Sequence, residues 1–238
     1  MADRGSVLSG PRGPAVAVVG ADTRAGAELA AGLDELGAAV GRLDVAALDG
    51  RAEFAAALDA SAERLGGLDG VVVASVGTPP TLSGAVAELE PDAWTARVEI
   101  PLHRTLVCFH GALGALRAVG GSMVLLVPTL SLVGAAGYGP WAAVTEGQRA
   151  LAKAAARAWG SHAITVNCVA VPGALLTPAN DGDRGGFGLH RPGQPPPAFG
   201  RPQMRVEVSG VVHSLLSPAW RPVTGATVAV DGGVWMTP

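Results

Sequence analysis

Aromatic side chains are scarce in this chain of 238 residues, at 4% of the total with a single tyrosine. Hydrophobic residues still make up 49%, so a core has to be packed from alanine, valine and leucine. Cysteine is nearly absent as well. Cys108 and Cys168 lie in apolar stretches with no metal-ligand spacing, and read as small buried hydrophobes rather than a disulfide, a metal site or a nucleophile. No basic block exists and the net charge is −3, which removes the electrostatic case for nucleic acid. No apolar run approaches the roughly 20 residues that span a bilayer. The strongest candidate, residues 163–176, is broken by Asn167, Pro172 and Gly173. The first dozen residues have no apolar signal-peptide core. A soluble, cytoplasmic protein without membrane contact is the expectation.

What is present alternates. Short β-branched runs at Ala15–Val19, Ala38–Leu43, Leu68–Ser75, Met123–Val127, Ile164–Val171 and Thr227–Val230 are separated by alanine-rich stretches of helical spacing. The helices are expected over Ala25–Leu36, Arg51–Leu65, Pro91–Ala118 with a bend at Pro101, Trp141–Trp159 and Val206–Leu216. Strand and helix in alternation signal βαβ units, and hence an α/β fold whose parallel sheet is covered by helices on both faces. The length suits one domain, 1–238, with residues 1–13 as a flexible N-terminus. Residues 179–203 are rich in glycine and proline and have no periodicity; a loop after a late strand lies at the carboxyl edge, so this one is expected to be a lid.

Several motifs, in order, resemble the short-chain dehydrogenase/reductase family. Ile164-Thr165-Val166-Asn167 followed by Pro172-Gly173, and Val223-Thr224-Gly225 followed by Val230-Asp231-Gly232-Gly233, match its closing segments. The resemblance implies a three-layer, Rossmann-like, doubly wound parallel sheet. Asp44 falls where the family keeps an acid for the adenosine ribose, yet Leu43-Asp44-Val45 also resembles the motif ending the family's third strand. The run to the Leu68 strand is too short for both, which implies a sheet of about six strands with one strand–helix unit of the nucleotide half shortened or lost.

The family's catalytic positions are where the resemblance weakens. Its serine, tyrosine and lysine correspond to Pro128, Trp141 and Thr145, and its asparagine on the long helix to Glu99. In the phosphate turn Gly20 and Gly26 remain, but Arg24 replaces the middle glycine. The resemblance thus implies a degenerate member, a pseudoenzyme serving as the non-catalytic subunit of a heteromeric oxidoreductase. Such a chain would have no cofactor, and would pair with an intact homologue or with itself through the long helix and the Trp141–Trp159 helix. Two alternatives stand beside it. One is a cofactor-independent lyase, isomerase or cyclase using Glu99, His103 and Tyr138. The other is an atypical NAD(P)-dependent oxidoreductase.

Overall fold

A computed structural model describes residues 13–77, 86–132, 134–177 and 197–236. Its elements run β1 (Ala15–Val19), α1 (Arg24–Glu35), β2 (Ala39–Leu43), α2 (Arg51–Leu65), β3 (Gly70–Val73), α3 (Pro91–Trp94), α4 (Ile100–Leu116), β4 (Gly121–Pro128), α5 (Gly139–Trp159), β5 (Ile164–Val171), α6 (Gly173–Leu176), α7 (Ser209–Leu216) and β6 (Thr227–Ala229). The six strands form one parallel sheet in the order β2-β1-β3-β4-β5-β6. This is the expected Rossmann-like sheet of six strands, with β2 as the strand outside β1.

Alternation along each strand divides the core. In β1, Ala17 and Val19 face a cluster with Phe54, Val107, Phe109 and Ala155, while Val16 and Val18 face Leu29, Leu33, Val208 and Val212. The first layer is α2, α4 and α5; the second is α1 and α7. Both faces are buried, so the strands can be continuously apolar. In the first layer the Phe109 and Trp159 rings stand 5.6 Å apart.

Two helices depart from the expected form. Pro101 is accommodated by a π turn over Thr95–Glu99 that joins α3 to α4. Proline has no N–H for the helical ladder and its ring crowds the preceding turn, and a widened turn relieves both. A second π turn, Met204–Val208, leads into α7. No described helix is long and apolar enough to cross a membrane. Of the expected lid, residues 179–196 lie outside the described residues. Residues 197–203 pack against the closing turn, where Phe199 N–H donates to Gly232 O at 3.1 Å.

Cys108 and Cys168 are both buried, with burial pushing the Cys168 thiol up to about 12 and that of Cys108 higher still. A thiolate is the reactive form. Both cysteines are therefore expected to resist a thiol-specific disulfide reagent in the folded protein and to react together in denaturant. Fast reaction of either in buffer would contradict this packing.

Candidate active site at the carboxyl edge of the sheet

The chain leaves β1 for β2 on one side and reaches β3 on the other, so the sheet has its switch point between β1 and β3. Loops diverge there and leave a crevice at the carboxyl ends of the strands. On its α1 side lies the turn Gly20–Gly26. Gly20 adopts φ +79, and its N–H and that of Ala21 both donate to Leu43 O. Thr23 caps α1: its Oγ1 accepts from Gly26 N at 3.1 Å and donates to Gly20 O at 2.7 Å. A Cβ on Gly26 would stand 2.0 Å from Gly20 O, and one on Gly20 would stand 2.8 Å from the Ser75 Cβ. Only glycine fits at either end.

Arg24 is exposed and reaches from this turn to α6. Its guanidinium donates to Ala174 O at 3.1 Å, and it forms no ion pair with a described carboxylate. Asp22 Oδ1 accepts the N–H of Val45, tying the turn to the end of β2. Asp44, beside it, is exposed and its carboxylate has no hydrogen bond to a described residue. Of the two alternatives for Asp44, the structure has it at the end of the strand next to β1. These residues fit a dinucleotide: a helix N-terminus and a guanidinium for the pyrophosphate, a backbone free of Cβ atoms, and a carboxylate for the ribose.

Further along the edge a recess of about 40 Å³ opens between the ends of β3 and β4 and the helices α4, α5 and α6. Pro128, Trp141, Val144 and Leu176 give it apolar walls; Ser75, Arg97 and Gln148 are its polar groups. Ser75 Oγ accepts from Gly77 N at 3.1 Å. Next to Val76, Arg104 donates to Asp49 at 2.6 Å and to Val76 O at 3.3 Å. Among the described lining residues there is no carboxylate, histidine, lysine or tyrosine.

The sequence-derived candidates scatter. Pro128 and Trp141 both line the recess, while Thr145 is fully buried beneath it and donates to Trp141 O at 2.9 Å. Tyr138 lies outside the recess lining, in a small cluster with Leu130, Ala135, Trp141 and Ala142, and burial pushes its phenol pKa up. Glu99 is exposed and accepts from Thr95 on its own helix at 2.9 Å; His103 is exposed as well. Neither reaches the recess, because both lie on the outward face of the helix. No metal cluster occurs among the described residues. Gln148 was missed. Its signal was present, since Trp141, Val144 and Gln148 repeat at helical spacing on one face of α5.

A family model described as enoyl-(acyl carrier protein) reductase matches residues 11–235. Trans-4-hydroxycyclohexanecarboxylate dehydrogenase of Sinomonas cyclohexanicum is 34% identical over 180 residues, covering 76% of this chain and 65% of its own length, just short of two thirds. The 3-oxoacyl-[acyl-carrier-protein] reductase of Pseudomonas aeruginosa is 33% identical over 161 residues, 66% of this chain and 63% of its own. Among solved structures, the 3-ketoacyl-(acyl-carrier-protein) reductase of Brucella melitensis, complexed with NADH, superposes with a TM-score of 0.73 at 18% identity, covering 94% of this chain and 98% of that one. A blue fluorescent protein from a metagenomic library, in complex with NADPH, gives 0.73 at 24% identity over 94% and 99% of the two chains.

Two expectations are corrected by these relatives. A non-catalytic subunit does not stand, because the relatives are themselves named dehydrogenases and reductases. A chain without cofactor does not stand either, because a reductase family model matches residues 11–235 and the Gly20–Gly26 turn fits a dinucleotide. The cofactor-independent lyase, isomerase or cyclase falls with it. The physical reason is that the backbone contacts closing the Gly20–Gly26 turn hold with Arg24 between the two glycines. The chain belongs to the short-chain dehydrogenase/reductase family.

Proposed function

We propose that the protein is a nicotinamide-dependent oxidoreductase interconverting a secondary alcohol and its ketone, with an atypical site in which Pro128, Trp141 and Thr145 stand at the family's serine, tyrosine and lysine positions. The observation that carries the reading is the juxtaposition of a dinucleotide-type turn with an apolar recess at one sheet edge. Relatives that act on hydroxylated six-membered rings and on oxoacyl groups support a carbinol substrate of that class. A bound nicotinamide would accept or deliver the hydride. The chain itself would hold the dinucleotide at Gly20, Arg24, Gly26 and Asp44, and gives the substrate apolar walls at Pro128, Trp141, Val144 and Leu176. The Trp141 indole N–H can donate a hydrogen bond but not a proton. The alcohol proton therefore passes to solvent water.

Asp44 supports NAD over NADP, since its carboxylate would oppose a 2′-phosphate and accept from a 2′-hydroxyl. Full-length protein given NAD⁺ and trans- or cis-4-hydroxycyclohexanecarboxylate is expected to form NADH. Under NADP⁺ the reaction should be roughly 10- to 100-fold weaker, and Asp44→Ser should erase most of that preference. No NADH with either ring acid, and no oxidation of NADH by a 3-oxoacyl thioester, would overturn the reading. We also propose self-association through α4 and α5. Ile100 and Leu106 are left exposed on α4, which supports it.

A further inference from the structure

Gln148 is the most buried polar side chain of the recess, 6% exposed, and it arrives there through a close helix crossing. Gly147 lets α5 approach α4: a Cβ at that position would stand 2.7 Å from the Leu102 side chain. The crossing brings Gln148 Nε2 to 3.0 Å from Thr105 Oγ1, and Thr105 Oγ1 to 2.8 Å from Pro101 O. The second contact fixes the direction of the first. A backbone carbonyl can only accept, so the Thr105 hydroxyl spends its one proton on Pro101. Its oxygen must then accept from Gln148, and the group facing it has to be the NH₂ end of the amide. The amide cannot be turned round without setting two oxygens against each other. That leaves Oε1, which no described residue hydrogen-bonds, as an acceptor beside the apolar walls of a recess whose other polar groups are Ser75 and Arg97.

We infer that Gln148 is a specificity-determining residue whose Oε1 accepts a hydrogen bond from the hydroxyl of a substrate seated in the recess, so that the site binds alcohols in preference to the matching ketones. The inference rests on the recess being the substrate site. An alcohol supplies the missing donor. A ketone of the same shape offers only lone pairs to the Gln148 oxygen and leaves that acceptor desolvated without a partner, which is the costly case for a buried polar group. Thr105 is a positioning residue in this scheme: it touches no substrate, but prevents the amide from presenting its NH₂ end instead.

Cyclohexanol and cyclohexanone test this as a pair of near-identical shape, with binding to the full-length protein followed by ligand-observed NMR in the absence of nucleotide. The unsubstituted protein is expected to bind the alcohol about fivefold more tightly than the ketone, the worth of one neutral hydrogen bond. Gln148→Leu should bring the ratio near one by weakening the alcohol. Thr105→Val keeps the helix packing and frees the amide to turn, and should lower the ratio by strengthening the ketone, which loss of packing alone would not do. Equal affinities in the unsubstituted protein, no binding of either compound, or a ratio unchanged in Thr105→Val would overturn the inference. NADH formation from the ring acids is read separately: turnover with equal affinities removes the role of Gln148 and leaves the oxidoreductase standing, and a preserved ratio without turnover does the reverse.

Discussion

Gly26→Ala is expected to unfold the nucleotide half and abolish dinucleotide binding, at a cost of about 3 kcal/mol in stability. The new methyl would stand 2.0 Å from Gly20 O and 2.6 Å from Gly20 C. Both are main-chain atoms of a turn held on the other side by Leu43 O, so nothing nearby can yield. The only relief is to push α1 away from β1, which also breaks the Thr23 cap. A control separates this clash from the helix preference of alanine. Gly114 lies in α4 with nothing within 4 Å of a Cβ, and Gly114→Ala should raise stability by roughly 0.4–1 kcal/mol. Thermal unfolding of the two variants, with NADH titrated calorimetrically, reads both effects. Gly26→Ala protein that melts normally and binds NADH would refute the account of the turn.

The second large effect is expected at Asn167. It is 1% exposed in the middle of β5, an expensive place for an amide. The structure explains it: Nδ2 donates to Val223 O at 2.8 Å and Oδ1 accepts from Ala226 N at 3.0 Å. Gly225 N donates to Val166 O and Thr224 Oγ1 accepts from Val166 N, so residues 223–226 are stitched onto β5 just before β6 begins. Asn167→Leu would fill the volume and strand a backbone N–H and a C=O, which costs about 3 kcal/mol for the two. β6, only three residues long, should lose its hold on the sheet edge. Urea unfolding measures the loss, and faster hydrogen exchange confined to residues 223–230 would locate it. A midpoint unchanged from the parent protein would mean that solvent already satisfies these groups.

The architecture was legible because its signals are local. A buried parallel strand announces itself by a continuous β-branched run such as Val71–Val73, and a helix such as α2 by the spacing of Phe54, Leu58 and Leu65. The edges were less legible: α5 begins at Gly139, because Pro140 suits a first helical turn, and the proline in the long helix is absorbed by a π turn. The candidate site was half legible. Gly20, Gly26 and Asp44 are legible in the sequence as a nucleotide set, while the geometry of the turn around Arg24 is not. In the structure that side chain reaches to Ala174 O on α6 and leaves the turn closed.

The sequence by itself determined the fold class, the six strands and the mainly aliphatic core. These depend on period, volume and turn chemistry, which neighbours in the chain carry. Only the tertiary structure decided which polar groups face the crevice. Glu99 and His103 looked chemically usable in a row of residues, yet the rotation of α4 about its axis turns them to solvent. Gln148 looked unremarkable in an alanine-rich helix, yet the approach of α5 to α4 at Gly147 buries it against Thr105, 43 residues away. A helix's own sequence sets which residues share a face; what that face meets is set by the partner helix, and that is where the chemistry of this recess is determined.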